Sequence, residues 1–175
     1  MIKKIILVMI FSISSISFAQ TGLDEIIVTP NLKETTVFES LNTVSIITKD
    51  EIRNYGHKSI DEILQHVSSI NIGSNGGYGQ TKSIFLRGTE SNHTKVLIDG
   101  VSLNPGTLGV PSIQHISPQI IERIEISKGG MSTLYGRDAI GGVINIITKN
   151  EFDNDEIIIE TGENQTNKFG LNKNF

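Results

Sequence analysis

The chain has 175 residues, enough for one ordinary domain with a real hydrophobic core. Nineteen acidic side chains against fifteen basic ones give a net charge of -4, which argues against nucleic acid and against an anionic membrane surface as partners. Cysteine is absent, which excludes disulfide staples and an acylated-cysteine anchor, so the fold must rest on packing or on a partner surface.

Residues 1–19 read as a secretory signal peptide. Lys3 and Lys4 supply the positive start, Ile5 to Phe11 the apolar run, and Ser17-Phe18-Ala19 the small residues for cleavage after Ala19. That apolar run is far short of the ~20 residues that span a bilayer. Losing the two lysines takes the net charge from -4 to -6. Residues 20–36 form a polar stretch around "DEIIVTP". Its Ile26, Ile27 and Val28 make a short β-prone run that Pro30 stops. Such a run is either a frayed first strand or an extended peptide that adds itself to a partner's sheet edge.

The globular pattern occupies residues 37–149. "TVSIIT" (43–48) is a strand by its β-branched content. Thr48 to Glu51 reads as a capping box that opens a short helix ended by Gly56, and Ser59 to Glu62 as a second box. The helix opened by the second box runs from Ile60 to about His66, with Ile60, Ile63, Leu64 and Val67 on one stripe. "SINI" (69–72) is a strand that leads into the loop "GSNGGYGQTK". Two tightly joined strands follow, "SIFLRG" (83–88) and "TKVLIDGVSL" (94–103), the second folded back at Asp99-Gly100. After a Pro- and Gly-rich loop, Ser117-Pro118 starts another helix, which runs into the strand "RIEIS" (123–127). A glycine-rich connection (Gly129, Gly130, Gly136, Gly141) then leads into "GVINIIT" (142–148), which adds Gly142. The expectation is an α+β domain with a small mixed sheet and short helices. Residues 150–175 are an acidic linker and the start of a strand whose partner is missing, which suggests that the chain continues or that something else supplies the partner.

No catalytic constellation stands out, so no enzyme is expected. His57, His66, His93 and His115 lack metal-ligand spacing, and Glu122 and Glu125 fall on opposite strand faces. The glycines do not make a phosphate loop, because none is followed by Lys-Ser or Lys-Thr. Two loops suit ligand contact. The first offers Ser74, Asn75, Tyr78 and Gln80, and the second Ser102 and Asn104. An aromatic ring among amides and hydroxyls fits a large neutral ligand such as a corrinoid. Arg87 and Lys128 each end an apolar strand.

Read in order, "DEIIVTP", "IFLRGTESNHTKVLIDGV" and "IERIEISKGGMSTLYGRDAIGGVINIITK" resemble the TonB box, the central strand pair and the closing block of the plug of a TonB-dependent outer-membrane receptor. "NGGYGQTKSIFLRGT" and "VLIDGVSLN" most resemble the cobalamin transporters. The resemblance implies a plug inside a β-barrel of about 22 strands, a barrel that this chain does not contain. It implies an outer-membrane location, cargo bound on the outer side, and a TonB box (Asp24, Glu25, Ile26, Ile27, Val28, Thr29) that pairs with the energy-transducing TonB protein. The cargo would be cobalamin or a similar large ligand such as a siderophore, with no resident cofactor or metal. Arg87 matches a plug cation that the family pairs with acidic residues of the barrel wall. Lys128 stands where arginine is usual, and Gly130 where proline is frequent; lysine cannot make arginine's two-pronged carboxylate pairing. Inside a barrel the glycines would let backbone approach the wall. The alternative is a free-standing periplasmic plug-like module that captures ligand or TonB.

Overall fold

A computed structural model of the chain describes residues 26–27, 35–36, 43–56, 58–77, 79–150, 156–161 and 167–172. The expected signal peptide lies outside these residues, as do Asp24, Glu25, Val28, Thr29, His57 and Tyr78.

β-Branched alternation builds the central sheet. Its strands are β3 (Thr43–Thr48), β6 (Thr94–Ile98), β7 (Val101–Ser102), β8 (Ile121–Lys128) and β9 (Gly142–Thr148), in the order β3-β8-β9-β6-β7. Only β6 and β9 run parallel; the other pairs are antiparallel. The β6–β7 hairpin turns at Asp99 (φ 47°) and Gly100 (φ 82°), the double positive φ that a two-residue turn of this kind requires. Asp99 also accepts from the Thr148 backbone N–H at 2.8 Å and from the Thr148 hydroxyl at 2.7 Å. The hairpin is thereby tied to the last strand.

Two helices cover one face. α1 (Lys49–Asn54) opens with a complete capping box, Thr48 and Glu51 each serving the other's backbone N–H. α2 (Ile60–Gln65) follows, with the Glu62 carboxylate accepting from Ser59 N–H at 3.0 Å. The stripe of Ile60, Ile63 and Leu64 is buried, and it packs with Ile84, Leu86, Ile124, Ile126, Ile144 and Ile146 in the main core. Full burial of each such side chain contributes roughly 1.5–3 kcal/mol. The opposite face of β9 holds a smaller cluster of Leu97, Met131, Ala139 and Val143. Both faces of the first five residues of β9 are thus covered within the domain itself.

The sequence suggests that "SIFLRG" pairs with the next strand. In the structure β5 (Lys82–Leu86) pairs with β4 (Ile70–Ser74) instead, as a separate two-stranded hairpin. The break has a local cause. Arg87 (φ 54°) and Gly88 (φ 75°) turn the chain out of extended geometry. The Ser91 hydroxyl then takes the Ile84 N–H at 2.9 Å, so a side chain caps that edge where a strand would have paired. The helix expected at Pro118 is a single 3-10 turn, Pro118–Ile120. Part of the glycine connection forms a short helix that periodicity does not reveal, α3 (Ser132–Tyr135).

The glycines serve the domain's own packing. A Cβ on Gly141 would lie 2.3 Å from the Thr89 hydroxyl, and one on Gly142 would lie 2.3 Å from the Ser127 carbonyl oxygen and 2.5 Å from Leu86 Cδ2. The close approach expected against an outer wall is therefore met inside. Two further hairpins complete the description. β1 (Ile26–Ile27) pairs antiparallel with β2 (Thr35–Thr36). β10 (Glu156–Thr161) pairs with β11 (Asn167–Asn172) over six residues, so the strand expected to lack a partner has one in this chain. No helix among the described residues is long and apolar enough to cross a membrane.

Candidate functional site

Three regions carry polar chemistry that the core does not consume. The first is the tip of the β4–β5 hairpin. Ser74 stands at its base, where its hydroxyl donates to the Gly76 carbonyl at 2.6 Å and accepts from Lys82 Nζ at 3.0 Å. Backbone bonds from Asn75 to Thr81 and from Gln80 to Gly77, both 3.3 Å, close the loop. The aliphatic stem of Gln80 lies over Gly76, where an added Cβ would meet Gln80 Cγ at 3.0 Å. Lys82 also pairs with Asp61 in the first turn of α2, at 3.1 Å. Burial pushes the Asp61 carboxyl up, but the Ser59 hydroxyl and the Lys82 ammonium outweigh it, and its pKa falls below the ordinary value.

The second region is the loop after β7. Asn104 organises it with one side chain. Its Oδ1 accepts from Val96 N–H at 2.8 Å, and its Nδ2 donates to the carbonyls of Thr94 at 2.9 Å and Gly109 at 2.7 Å. The amide thus continues the ladder along β6 after β7 has ended. Ser102 supports it by accepting from Asn104 N–H at 3.2 Å. Beyond the anchor, residues 107–109 form one wall of a cleft of about 300 Å³. Asn92, His93, Arg137, Asp138 and Ile140 supply the rest, with Leu108 and Ile140 exposed on its rim. The cleft takes residues from the second loop and none from the first.

The third region is a pair of cations. Lys128 ends β8 on the same face as Ile124 and Ile126. It is only 7 % exposed, with a 3.4 Å bond to the Ser68 hydroxyl. Arg87 lies beside it, close enough for a Cβ on Gly129 to sit 3.8 Å from its Nη1. Burial first, and the Arg87 charge second, push the Lys128 ammonium below its usual pKa. Neither cation forms an ion pair among the described residues. The sequence puts the two 41 positions apart; the fold puts them side by side.

Sequence reasoning missed Glu125. The sequence places Glu125 only on the strand face opposite Glu122, and in the structure it is fully buried. Arg123 Nε and Nη2 both approach its Oε1 at 2.9 Å. Tyr135 of α3 feels it too: burial, then the Glu125 charge, raises the phenol's pKa. The only usable sequence signal is the cation two residues away on the same face. Among the histidines, His66 caps α2 and stacks on Tyr55 at 4.8 Å. His93 lines the cleft and His115 is exposed. Among the described residues no group of three or more His, Asp or Glu side chains could hold a metal ion.

The family model described as TonB-dependent Receptor Plug Domain matches residues 36–143, well over half of the chain. The chain belongs to this family. Solved structures agree with the plug fold. The ferric yersiniabactin uptake receptor FyuA of Yersinia pestis is 26% identical over 74% of this chain and 21% of its own, with a TM-score of 0.57. The siderophore receptor PirA of Acinetobacter baumannii is 28% identical over 66% of this chain and 18% of its own, at 0.51. FpvA of Pseudomonas aeruginosa, solved with heterologous pyoverdines, shares the fold at 20% identity, covering 83% of this chain and 19% of its own, at 0.64. The chain spans about a fifth of the length of these receptors. The expected mixed-sheet plug with short helices is therefore the fold observed, and no closed barrel is present among the described residues. Of the six residues expected to form a TonB box, Ile26 and Ile27 lie among the described residues, in β1.

Proposed function

We propose that this plug is the gate and the cargo-contacting part of a TonB-powered outer-membrane uptake receptor, working inside the β-barrel of the same receptor. The observation that carries the reading is the Arg87–Lys128 pair within a plug fold. A nearly buried ammonium beside a guanidinium, with one hydroxyl for a partner, is costly unless a carboxylate approaches from outside. Acidic residues on a barrel wall meet that need. Lysine contributes as a point charge rather than a fork, so Arg87 is the more directional of the two.

Cargo is a large metal chelate carrying amides and hydroxyls. Cobalamin is favoured by the resemblance of residues 75–89 and 96–104 to cobalamin transporters. A ferric siderophore is favoured by the receptors of similar structure. Ser74, Asn75, Tyr78, Gln80 and Ser102 are the proposed contacts, with Asn104 shaping its loop from beneath. No resident cofactor takes part and no covalent chemistry is required. The protein's work is selection and gating, driven through Asp24 to Thr29 by strand pairing with TonB in the periplasm. β1 already pairs with β2 along one edge, which leaves the other edge for a partner strand.

Replacing Ile27 with proline removes a backbone donor from the box and leaves the cargo loops alone. In cells carrying the full-length protein, uptake of labelled cyanocobalamin or of a labelled ferric siderophore should cease while surface binding continues. Continued uptake would reject strand pairing. Binding without any uptake by the unaltered protein would instead favour a free-standing capture module.

A further inference from the structure

The base of the β4–β5 loop is held by more than its ladder. Lys82 Nζ lies 3.1 Å from Asp61 Oδ2 and 3.0 Å from Ser74 Oγ. The two ion-paired side chains are 13 % and 8 % exposed, so this is not a solvated surface pair of negligible worth. Ser74 passes the connection to Gly76, whose carbonyl accepts from its hydroxyl at 2.6 Å. A continuous polar path therefore runs from the first turn of α2 to the loop tip. At its other end α2 is fixed, because Ile60, Ile63 and Leu64 on the same helix are fully buried. Removing Lys82 would leave the carboxylate of this buried residue with the Ser59 hydroxyl but no counter-charge, so breaking the pair costs more than a surface bridge does. Lys82 and Asp61 face away from bulk water and do not belong to the loop tip.

We propose that Asp61 and Lys82 are positioning residues that latch loop 75–81 onto α2 and so hold the cargo-facing tip in one conformation. The latch is argued from this geometry alone; its use in cargo binding rests on the reading above. Without it the tip is a glycine-rich loop, four of whose residues from Ser74 to Gln80 are side-chain-poor or small, and its freedom would be lost on each binding event.

The test compares wild type, Lys82→Met and Lys82→Arg in the full-length protein. Amide hydrogen exchange reads the latch directly. Lys82→Met should speed exchange at Asn75, Gly76 and Gln80 about tenfold or more and leave β8 and β9 unchanged. Lys82→Arg, which keeps a cation with several donors, should restore most of the protection. Loop exchange in Lys82→Met equal to wild type would overturn the latch. If that variant instead loses protection throughout β8 and β9, Asp61→Asn, which keeps the side chain's shape, is read in its place against the same criteria. Cargo binding is read with cyanocobalamin and ferric enterobactin as separate probes. Whichever binds wild type should bind Lys82→Met at least fivefold more weakly and Lys82→Arg nearly normally. Faster exchange with unaltered affinity would overturn the positioning role. Binding of neither probe by wild type would count against the cargo reading, while the exchange data would still decide the latch.

Discussion

The two loops proposed to contact cargo are anchored by opposite chemistry. Loop 75–81 hangs from an ion pair, Lys82 with Asp61, relayed by a hydroxyl. The loop after β7 hangs from one neutral amide, Asn104, which makes three bonds to backbone partners. The amide anchor is an extension of the sheet: it does for β6 what another strand would do. The ionic anchor joins two separate elements, a helix and a hairpin, that share no ladder. Charge bridges where backbone cannot reach, and the amide serves where the ladder merely runs out.

Breaking the neutral anchor should have the largest effect. Asn104→Ala leaves Val96 N–H and two carbonyls without their partner in a partly buried setting. At about 1 kcal/mol or more for each orphaned group, we expect a loss near 3 kcal/mol in urea unfolding of the chain. A loss under 1 kcal/mol would mean that water replaces the amide and that the loop is only draped on the sheet.

A charge without a carboxylate sharpens the contrast in the other direction. Lys128→Met keeps the stem and removes the buried ammonium. In the 175-residue chain we expect a gain of about 1 kcal/mol in the same experiment. Destabilisation would show that Lys128 is already compensated in this chain, and the need for an outside carboxylate would vanish.

The smallest effect is a difference in acid. The folded Asp61 carboxyl lies below its ordinary value of 3.8. The ionised form is thus favoured by folding, so its contribution is present above that value and is lost as pH falls through the lower folded one. Titrating from pH 6 to pH 2, protection of the Asn75–Gln80 amides should fall before that of residues 107–109, whose anchor does not titrate. Simultaneous loss in both loops would remove the distinction.

Much of this was legible in the sequence. The capping residues at Thr48 and Ser59, the Asp99-Gly100 turn and the β-prone apolar run of β9 each follow from local rules, and the structure obeys them. Strand partnership was not legible where a side chain intervenes. Nothing in "SIFLRG" says that the Ser91 hydroxyl will take the Ile84 N–H and send β5 to β4. The burial of Glu125 was not legible either, since strand alternation does not say which face other elements cover. Arg87 and Lys128 were each marked as strand ends, but their adjacency belongs to tertiary structure. Likewise the sequence offered Ser74 and Asn104 as surface contacts. It could not show that both first serve the loops that carry them.

The order of strands has a consequence for the protein's biogenesis. β9, the last strand of the sheet in sequence, lies between β8 and β6. Until residues 142–148 are available, β3–β8 and β6–β7 are two unconnected ribbons, and the apolar residues Val96 and Leu97 have no seat. A polypeptide threaded outward from its amino end would therefore stay open through most of its passage and close only when the final segment arrives. If the domain is exported as proposed, delayed closure would keep it fit for translocation and leave it exposed to aggregation for the same interval.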